Sequence, residues 1–154
     1  MKLSKKTDYA LRVLFTLVDR AGQGPVSMNE LAQVNDVPKR FLEHIMLDLK
    51  DQGWVESTPG RNGGYVLAQP PERITMGQVV RFFDGVLAPI GCLSVSPHEP
   101  CSQSPTCRFR RVLLEVRNLT ANYMDNATLA RVAGNKPVTD QEVFGTQFTE
   151  GDGI

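Results

Sequence analysis

The segment that most constrains the fold contains two helical patterns followed by a glycine-rich hairpin. Ser27 is suited to be the N-cap of a short helix, and Glu30 follows at the spacing of a capping box. This helix is predicted to end near Val34, and residues 35–37 are predicted to form a tight turn. Pro38 is suited to the first position of the next helix, because the N–H that proline lacks has no partner there.

The helix predicted from Pro38 to about Asp51 has an apolar face and a polar face. Because a helix turns by about 100° per residue, side chains three and four positions apart share a face. The predicted buried face consists of Phe41, Leu42, Ile45, Met46 and Leu49, and the predicted outer face consists of Arg40, Glu43, His44, Leu47 and Lys50. Two helices, a short turn between them and a polar outer face are typical of a helix-turn-helix unit.

A β-hairpin is predicted directly after this unit. Residues 54–57 and 65–67 are short runs suited to strands, and residues 59–64 between them contain a proline and three glycines. A hairpin in this position is the wing of a winged helix-turn-helix. The predicted fold class is therefore mostly α with a small β-hairpin.

Double-stranded DNA is the partner expected of such a unit. The DNA-binding candidates are Ser27 at a helix start, Lys39, Arg40 and His44 on the second helix, and Arg61 and Asn62 at the wing tip. Cations and amides of this kind contact phosphates and base edges. Helix-turn-helix patterns also occur as plain packing units, so this alternative stays open on the pattern alone. A two-fold dimer would bind a pseudo-palindromic site.

The charge balance limits how the chain could attract DNA. Its 154 residues include 17 Lys and Arg and 17 Asp and Glu, so the formal net charge is zero. Residues 118–154 carry two basic and five acidic residues, which masks a slight positive excess before them. Local basic residues, rather than a global field, must therefore bind any DNA.

The sequence also indicates where the protein is expected to act. It has no run of about 20 apolar residues, which a transmembrane helix needs. Residues 1–6 run into an amphipathic segment without a signal-peptide cleavage pattern. We therefore expect a cytoplasmic protein with no membrane partner.

The remaining segments are assigned by their periodicity. Residues 5–19 are predicted to form the first helix, with Ala10, Leu11, Leu14, Leu17 and Val18 on one face. Residues 1–70 are then the expected DNA-binding domain. Residues 71–87 are expected to connect it onward through a helix over 76–84 that Thr75 caps.

A long C-terminal helix is predicted over residues 108–133, with a break near residues 126–129. Its apolar positions, at helical spacing, are Phe109, Val112, Leu113, Val116, Leu119 and Tyr123. A stripe this far from a small N-terminal core stays exposed unless a partner covers it. We therefore predict a dimerisation helix and a homodimer, with residues 134–154 as a flexible tail.

The most informative chemical feature is a loop predicted over residues 88–107. It contains four prolines and the only three cysteines of the chain, Cys92, Cys101 and Cys107. Thiolates are soft ligands suited to iron–sulfur clusters or zinc. The close cysteine pairs of typical zinc sites are missing, and the wide spacing favours a cluster. Unliganded cysteines or a redox thiol pair remain alternatives.

A cluster usually takes a fourth ligand, and no fourth cysteine exists. The candidates are His98, His44 and an acid, of which Asp8 is one. An acid in the first turn of a helix is also explained by the helix dipole. A thiol oxidoreductase using Cys101 and Cys107 would need a Cys-x-x-Cys motif or an activating base, and neither is apparent. We therefore do not expect an enzyme.

Several motifs resemble those of one family. They are MKLSKKTDYALR at residues 1–12, GRNGGY at 60–65, ITMGQVV at 74–80, SPTCR at 104–108 and NATL at 126–129. Together these segments resemble the superfamily of winged-helix dimeric repressors that includes the iron–sulfur regulator IscR and the nitric-oxide sensor NsrR. The resemblance covers roughly residues 1–133.

The resemblance to the nitric-oxide-sensing branch implies a ligand set and a function. It implies that Cys92, Cys101, Cys107 and an Asp8 contributed by the other subunit hold a [4Fe–4S] cluster. The IscR branch, which has a [2Fe–2S] cluster, uses a histidine three residues after the last cysteine, where this chain has Arg110. The gap of eight residues between Cys92 and Cys101 is longer than is usual.

The expected protein is thus a homodimeric transcription repressor whose cluster controls operator affinity and senses nitric oxide. The alternative within the same family is an IscR-like or iron-responsive regulator that senses cluster or iron supply.

Overall fold

The computed structural model describes residues 2–85 and 87–145. The helices are α1 (Lys5–Asp19), α2 (Met28–Asn35), α3 (Lys39–Asp51), α4 (Met76–Asp84), α5 (Arg110–Asn126), α6 (Leu129–Ala133) and α7 (Asp140–Phe144), and the strands are β1 (Val55–Thr58) and β2 (Gly64–Leu67). Short 3₁₀ turns lie at Pro71–Arg73 and Gly91–Leu93. The fold is mostly helical with a two-stranded antiparallel hairpin, as predicted.

The first helix is the centre of the N-terminal core. Ser4 caps α1 by accepting a hydrogen bond from the N–H of Thr7. Ala10, Val13 and Leu14 are fully buried. The same helix packs against α2, α3, α4 and α6. The predicted bounds of α1 are confirmed.

The helix-turn-helix is present, with two local differences from the prediction. Ser27 caps α2 as predicted, but the Glu30 carboxylate pairs with Arg20 at 3.0 Å rather than completing a capping box. Asp36 adopts a left-handed conformation at φ 51° and ends the helix. Pro38 is the N-cap of α3 rather than its first helical residue.

The buried face of α3 is confirmed at four of its five predicted positions: Leu42, Ile45, Met46 and Leu49. Phe41 was predicted to be buried there, and this is wrong, because 43% of its surface is exposed. Its ring packs edge-on against Tyr9 of α1, with 5.7 Å between ring centroids. Position 41 lies at the rim of the apolar stripe, where a large ring contacts the neighbouring helix without entering the core.

The wing is anchored to the segment that enters α2. Val55 pairs with Leu67 and Thr58 with Gly64, and each strand begins and ends within one residue of its predicted bounds. Val26 and Tyr65 exchange two backbone hydrogen bonds of 3.0 and 2.8 Å. A Cβ on Gly64 would lie 2.3 Å from the Val26 carbonyl oxygen, so only glycine fits.

The C-terminal segment returns to the N-terminal core. Thr75 and Gln78 form a capping box at the start of α4, which confirms the predicted cap. The N–H of Met76 donates to Ala127 at 2.9 Å, and the N–H of Leu129 donates to Ile74 at 2.8 Å. These bonds interrupt the long helix between α5 and α6, where the break was predicted.

Helix α5 leaves an apolar stripe exposed in this single chain. Its members, with the residue before the helix, are Phe109, Val112, Val116, Leu119 and Tyr123, each more than two-fifths exposed. No residue of α5 is buried. The tail predicted after Gly134 includes the short helix α7, and residues 146–154 lie outside the described residues. None of the described helices is both long and apolar enough to cross a membrane.

An ion pair joins α4 to α5. Arg81 donates two hydrogen bonds to the Asp125 carboxylate, one of them 2.8 Å long. The pair crosses Gly77, where an added Cβ would lie 2.2 Å from the carboxylate. These hydrogen bonds hold the pKa of the Asp125 carboxyl below its ordinary value.

We predict that Asp125→Asn lowers the free energy of unfolding at pH 7 by about 0.2–1 kcal/mol, the range for a solvent-exposed pair. Because the folded-state pKa is lowered, this contribution is present above the ordinary carboxyl pKa and is lost as pH falls through the folded-state value. Urea unfolding of both proteins between pH 7 and pH 3 measures the difference. Glu115→Gln, an exposed residue of α5, is the control for loss of one carboxylate. A difference between Asp125→Asn and wild type that grows on acidification would contradict the assignment.

Candidate functional site

The outer face of α3 presents the predicted cationic residues. Lys39, Arg40 and His44 are all exposed and lie in the first two turns of the helix. The buried residues Leu42 and Ile45 fix the opposite face against the core. The helix therefore offers its N-terminal half to a partner, which is the part that reaches base edges in helix-turn-helix proteins.

The wing tip offers a second cationic and polar group. Arg61 and Asn62 are exposed in the turn between β1 and β2. Gly60 has a φ of 109°, and its carbonyl accepts the N–H of Gly63 at 3.0 Å. The turn is thus closed by its own backbone, and both side chains remain available to a ligand.

Two predicted surface residues have structural contacts of their own. The Ser27 hydroxyl caps α2 by accepting the N–H of Glu30 at 3.2 Å. The Lys50 ammonium donates to Ser57 at 2.9 Å and so links the end of α3 to the wing. The Lys50 contact could not be found from the sequence, because it depends on where the hairpin packs.

The first helix carries an ion pair that points towards the helix-turn-helix turn. Arg12 donates to both oxygens of Asp8, with both distances 2.9 Å. The same guanidinium donates to the Asn35 carbonyl at 3.4 Å. The buried Asn35 side chain donates to Leu31 and accepts from Thr16. Asp8 is therefore connected through Arg12 to the residue that ends α2.

The three cysteines line one cavity of about 440 Å³ beside the start of α5. Cys101 is exposed, and Cys92 and Cys107 are partly buried. Arg110 donates to the Cys92 carbonyl at 2.9 Å, which ties the loop to α5. No disulfide joins the cysteines.

The types of donor that line this cavity suit an iron–sulfur cluster, because three thiols and cationic side chains border it. The remaining candidate ligands lie elsewhere in the single chain. Asp8 is paired with Arg12, His44 is exposed on α3, and the Nδ1 of His98 lies 3.0 Å from the Ser94 carbonyl. Within residues 2–85 and 87–145, no three His, Cys, Asp or Glu side chains are close enough to hold a metal ion. This finding includes the three cysteines, which line the cavity without being gathered around one metal-ion position in the single chain.

The fold and this surface define a class: winged helix-turn-helix proteins that bind DNA. Residues 3–135 match the Rrf2 family, which is described as iron-dependent transcriptional regulators. Among relatives, CymR of Bacillus subtilis is 34% identical over 130 residues, covering 81% of this chain and 93% of that protein. NsrR of Bacillus licheniformis is 31% identical over 136 residues, covering 88% and 94%.

Solved structures support the same family assignment. CymR, the global cysteine regulator of B. subtilis, superposes with a TM-score of 0.73 and 29% identity, covering 89% of this chain and 99% of that one. IscR of T. potens has a TM-score of 0.66 and 27% identity, covering 86% and 85%. The chain belongs to the Rrf2 family. It is a transcriptional regulator and not an enzyme.

Proposed function

We propose that this regulator is a homodimeric transcription repressor whose affinity for its operator is controlled by an iron–sulfur cluster that senses nitric oxide. The observation that carries the proposal is that Cys92, Cys101 and Cys107 line the same cavity. Relatives named NsrR, at 31–33% identity, support the choice of signal. Because such a repressor acts on operator DNA, the proposal includes a cytoplasmic location and no membrane partner.

The proposed ligands are the three cysteines and Asp8 of the partner subunit. When bound, a [4Fe–4S] cluster, or a [2Fe–2S] cluster as the alternative, supplies iron that reacts with nitric oxide. Three thiolates are soft ligands, whereas a carboxylate is a hard one and the most readily displaced. Asp8 is thus the ligand best suited to respond to the signal.

The contacts of Asp8 explain how this ligand can affect DNA binding. In the single chain its carboxylate holds Arg12, and Arg12 reaches the Asn35 carbonyl at the end of α2. If the carboxylate turns towards iron, Arg12 loses both of its hydrogen bonds to Asp8, close to the turn of the helix-turn-helix. The position of α3 then depends on whether Asp8 is bound to iron, which is the differential stabilisation that a switch requires.

Homodimerisation is supported by the exposed stripe of α5. Five large apolar side chains lie along one side of a helix that has no buried residue. Exposed apolar patches of this kind mark interaction surfaces. A second copy of the chain would cover the stripe and place two α3 helices on one face of the duplex.

Sensing of iron or cluster supply is the second candidate function. The family description as iron-dependent and the IscR structure favour it. The arginine at position 110 weighs against an IscR-type site, because it donates to the Cys92 carbonyl and cannot serve as an imidazole ligand. Titration of the anaerobic protein with nitric oxide separates the two, since only the first function requires a response.

We predict that Asp8→Ala lowers cluster retention and removes the nitric-oxide response of operator binding. Arg12→Gln should retain the cluster but change operator affinity, because Arg12 acts between Asp8 and α2. Anaerobic absorption spectra, iron analysis and gel-shift titrations measure these effects. Asp19→Ala, in the last turn of α1, is the matched control. Wild-type spectra and wild-type nitric-oxide response in Asp8→Ala would remove Asp8 from the ligand set.

We also predict that Lys39→Ala and Arg40→Ala each weaken operator binding and reduce the dependence of log Kd on log salt by about 0.9 for each lost phosphate contact. A base-reading role would instead relax sequence preference at one position, by about 1–3 kcal/mol. Operator affinity and its salt dependence are measured in the same way for alanine variants of His44, Arg61 and Asn62. Lys136→Ala is the control. Unchanged affinity and salt slope in both α3 variants would place the DNA-binding surface elsewhere.

A further inference from the structure

A second cavity lies between the cysteine loop and α5, and Cys92 and Cys107 also line it. It has a volume of about 430 Å³, which is within the range of small-molecule sites. Its polar lining residues are Ser94, His98, Ser104, Arg110, Arg111 and Arg117. No Asp or Glu of residues 2–85 and 87–145 lines it, so three arginines border a space to which these residues contribute no carboxylate.

Three residues that line the cavity have buried polar atoms whose hydrogen bonds are unsatisfied. The Ser94 Oγ, the Arg110 Nε and the Arg117 Nε are buried and have no hydrogen-bond partner among the described residues. Ser94 is only 5% exposed. Buried polar groups almost always have partners, and an exception at one site points to a bound water, ion or ligand. Three such groups here are all able to donate a hydrogen bond.

Contacts at the cavity hold Arg110 and the loop segment that contains Ser94 in place. Arg110 and Arg117 are two helical turns apart and share the face of α5 opposite the exposed stripe. A second nitrogen of Arg110 donates to the Cys92 carbonyl, which fixes the guanidinium while its Nε stays unpaired. The His98 Nδ1 contacts the Ser94 carbonyl at 3.0 Å and holds that loop segment in place.

We propose that this cavity, the arginine pocket, binds a small anionic metabolite through a carboxylate or phosphate group. Oxygen anions of this kind match the planar donor geometry of guanidinium and accept a serine hydroxyl as well. The arginine pocket adjoins the proposed cluster site, because Cys92 and Cys107 line both cavities. The proposal does not require a cluster.

An occupied arginine pocket would couple to the cysteine loop. Arg110 donates to the loop backbone at Cys92 and also lines the pocket, so an anion that binds this guanidinium acts on the same side chain that ties the loop to α5. The regulator would then respond to an anionic metabolite in addition to its other signal.

Calorimetric titration of the metal-free full-length protein with inorganic phosphate and with succinate tests the proposal. At least one probe should bind saturably with one site per chain, and the tighter probe identifies the group. Ser94→Ala and Arg117→Gln should each weaken binding by about tenfold, the loss expected for one hydrogen bond to a charged group. Arg73→Gln, an exposed arginine outside the pocket, should bind as wild type does.

Thermal unfolding separates a ligand role from a structural one. Because the Ser94 hydroxyl has no hydrogen-bond partner in the described part of the chain, Ser94→Ala without ligand should unfold at the wild-type temperature or above. The bound probe should raise the midpoint of wild type more than that of the variant. Absence of saturable binding for both probes, or wild-type affinity in both Ser94→Ala and Arg117→Gln, would overturn the proposal. Because this titration uses metal-free protein, its outcome tests the arginine pocket even if the cluster proposal is wrong.

Discussion

The rest of the structure depends on the burial of one face of α1. Ala10, Val13 and Leu14 lie in a core that also receives Leu42 and Ile45 from α3 and Leu129 from α6. Because α6 is bonded back to the start of α4, the C-terminal part of the chain is positioned against the same helix as the DNA-binding surface. A displacement of α1 would therefore be transmitted to α3 and to the C-terminal end of α5.

In the proposed mechanism, the other face of α1 carries the residues that respond to the signal. Asp8 and Arg12 form a bidentate pair on the surface, and Arg12 continues to the Asn35 carbonyl. If Asp8 binds iron instead of Arg12, the contact between Arg12 and the Asn35 carbonyl, beside the turn before α3, is affected as well. The cysteine loop, tied to α5 by Arg110, is the second end of the proposed switch. The arginine pocket lies beside that tie.

The sequence predicted those parts of the fold that depend on local patterns. The bounds of α1, the N-caps of α2 and α4, and the wing follow from periodicity, cap residues and glycines, and all are present. The capping box predicted for Ser27 and Glu30 is not, because Glu30 pairs with Arg20. Phe41 was misplaced because helical periodicity does not say how wide the core contact is. The pairing of Asp8 with Arg12 was accessible from their four-residue spacing. The unsatisfied donors of Ser94 and Arg117 were not, because they depend on how the irregular loop folds onto α5.

The most direct test of the central claim compares operator affinity of the wild-type protein with and without its cluster. Protein purified without oxygen should contain iron and sulfide, show the absorption of an iron–sulfur cluster, and bind its operator. Removal of the cluster by nitric oxide should weaken operator binding by at least tenfold, which corresponds to about 1.4 kcal/mol of coupling. An iron-free anaerobic preparation that binds the operator with unchanged affinity before and after nitric oxide would contradict the account.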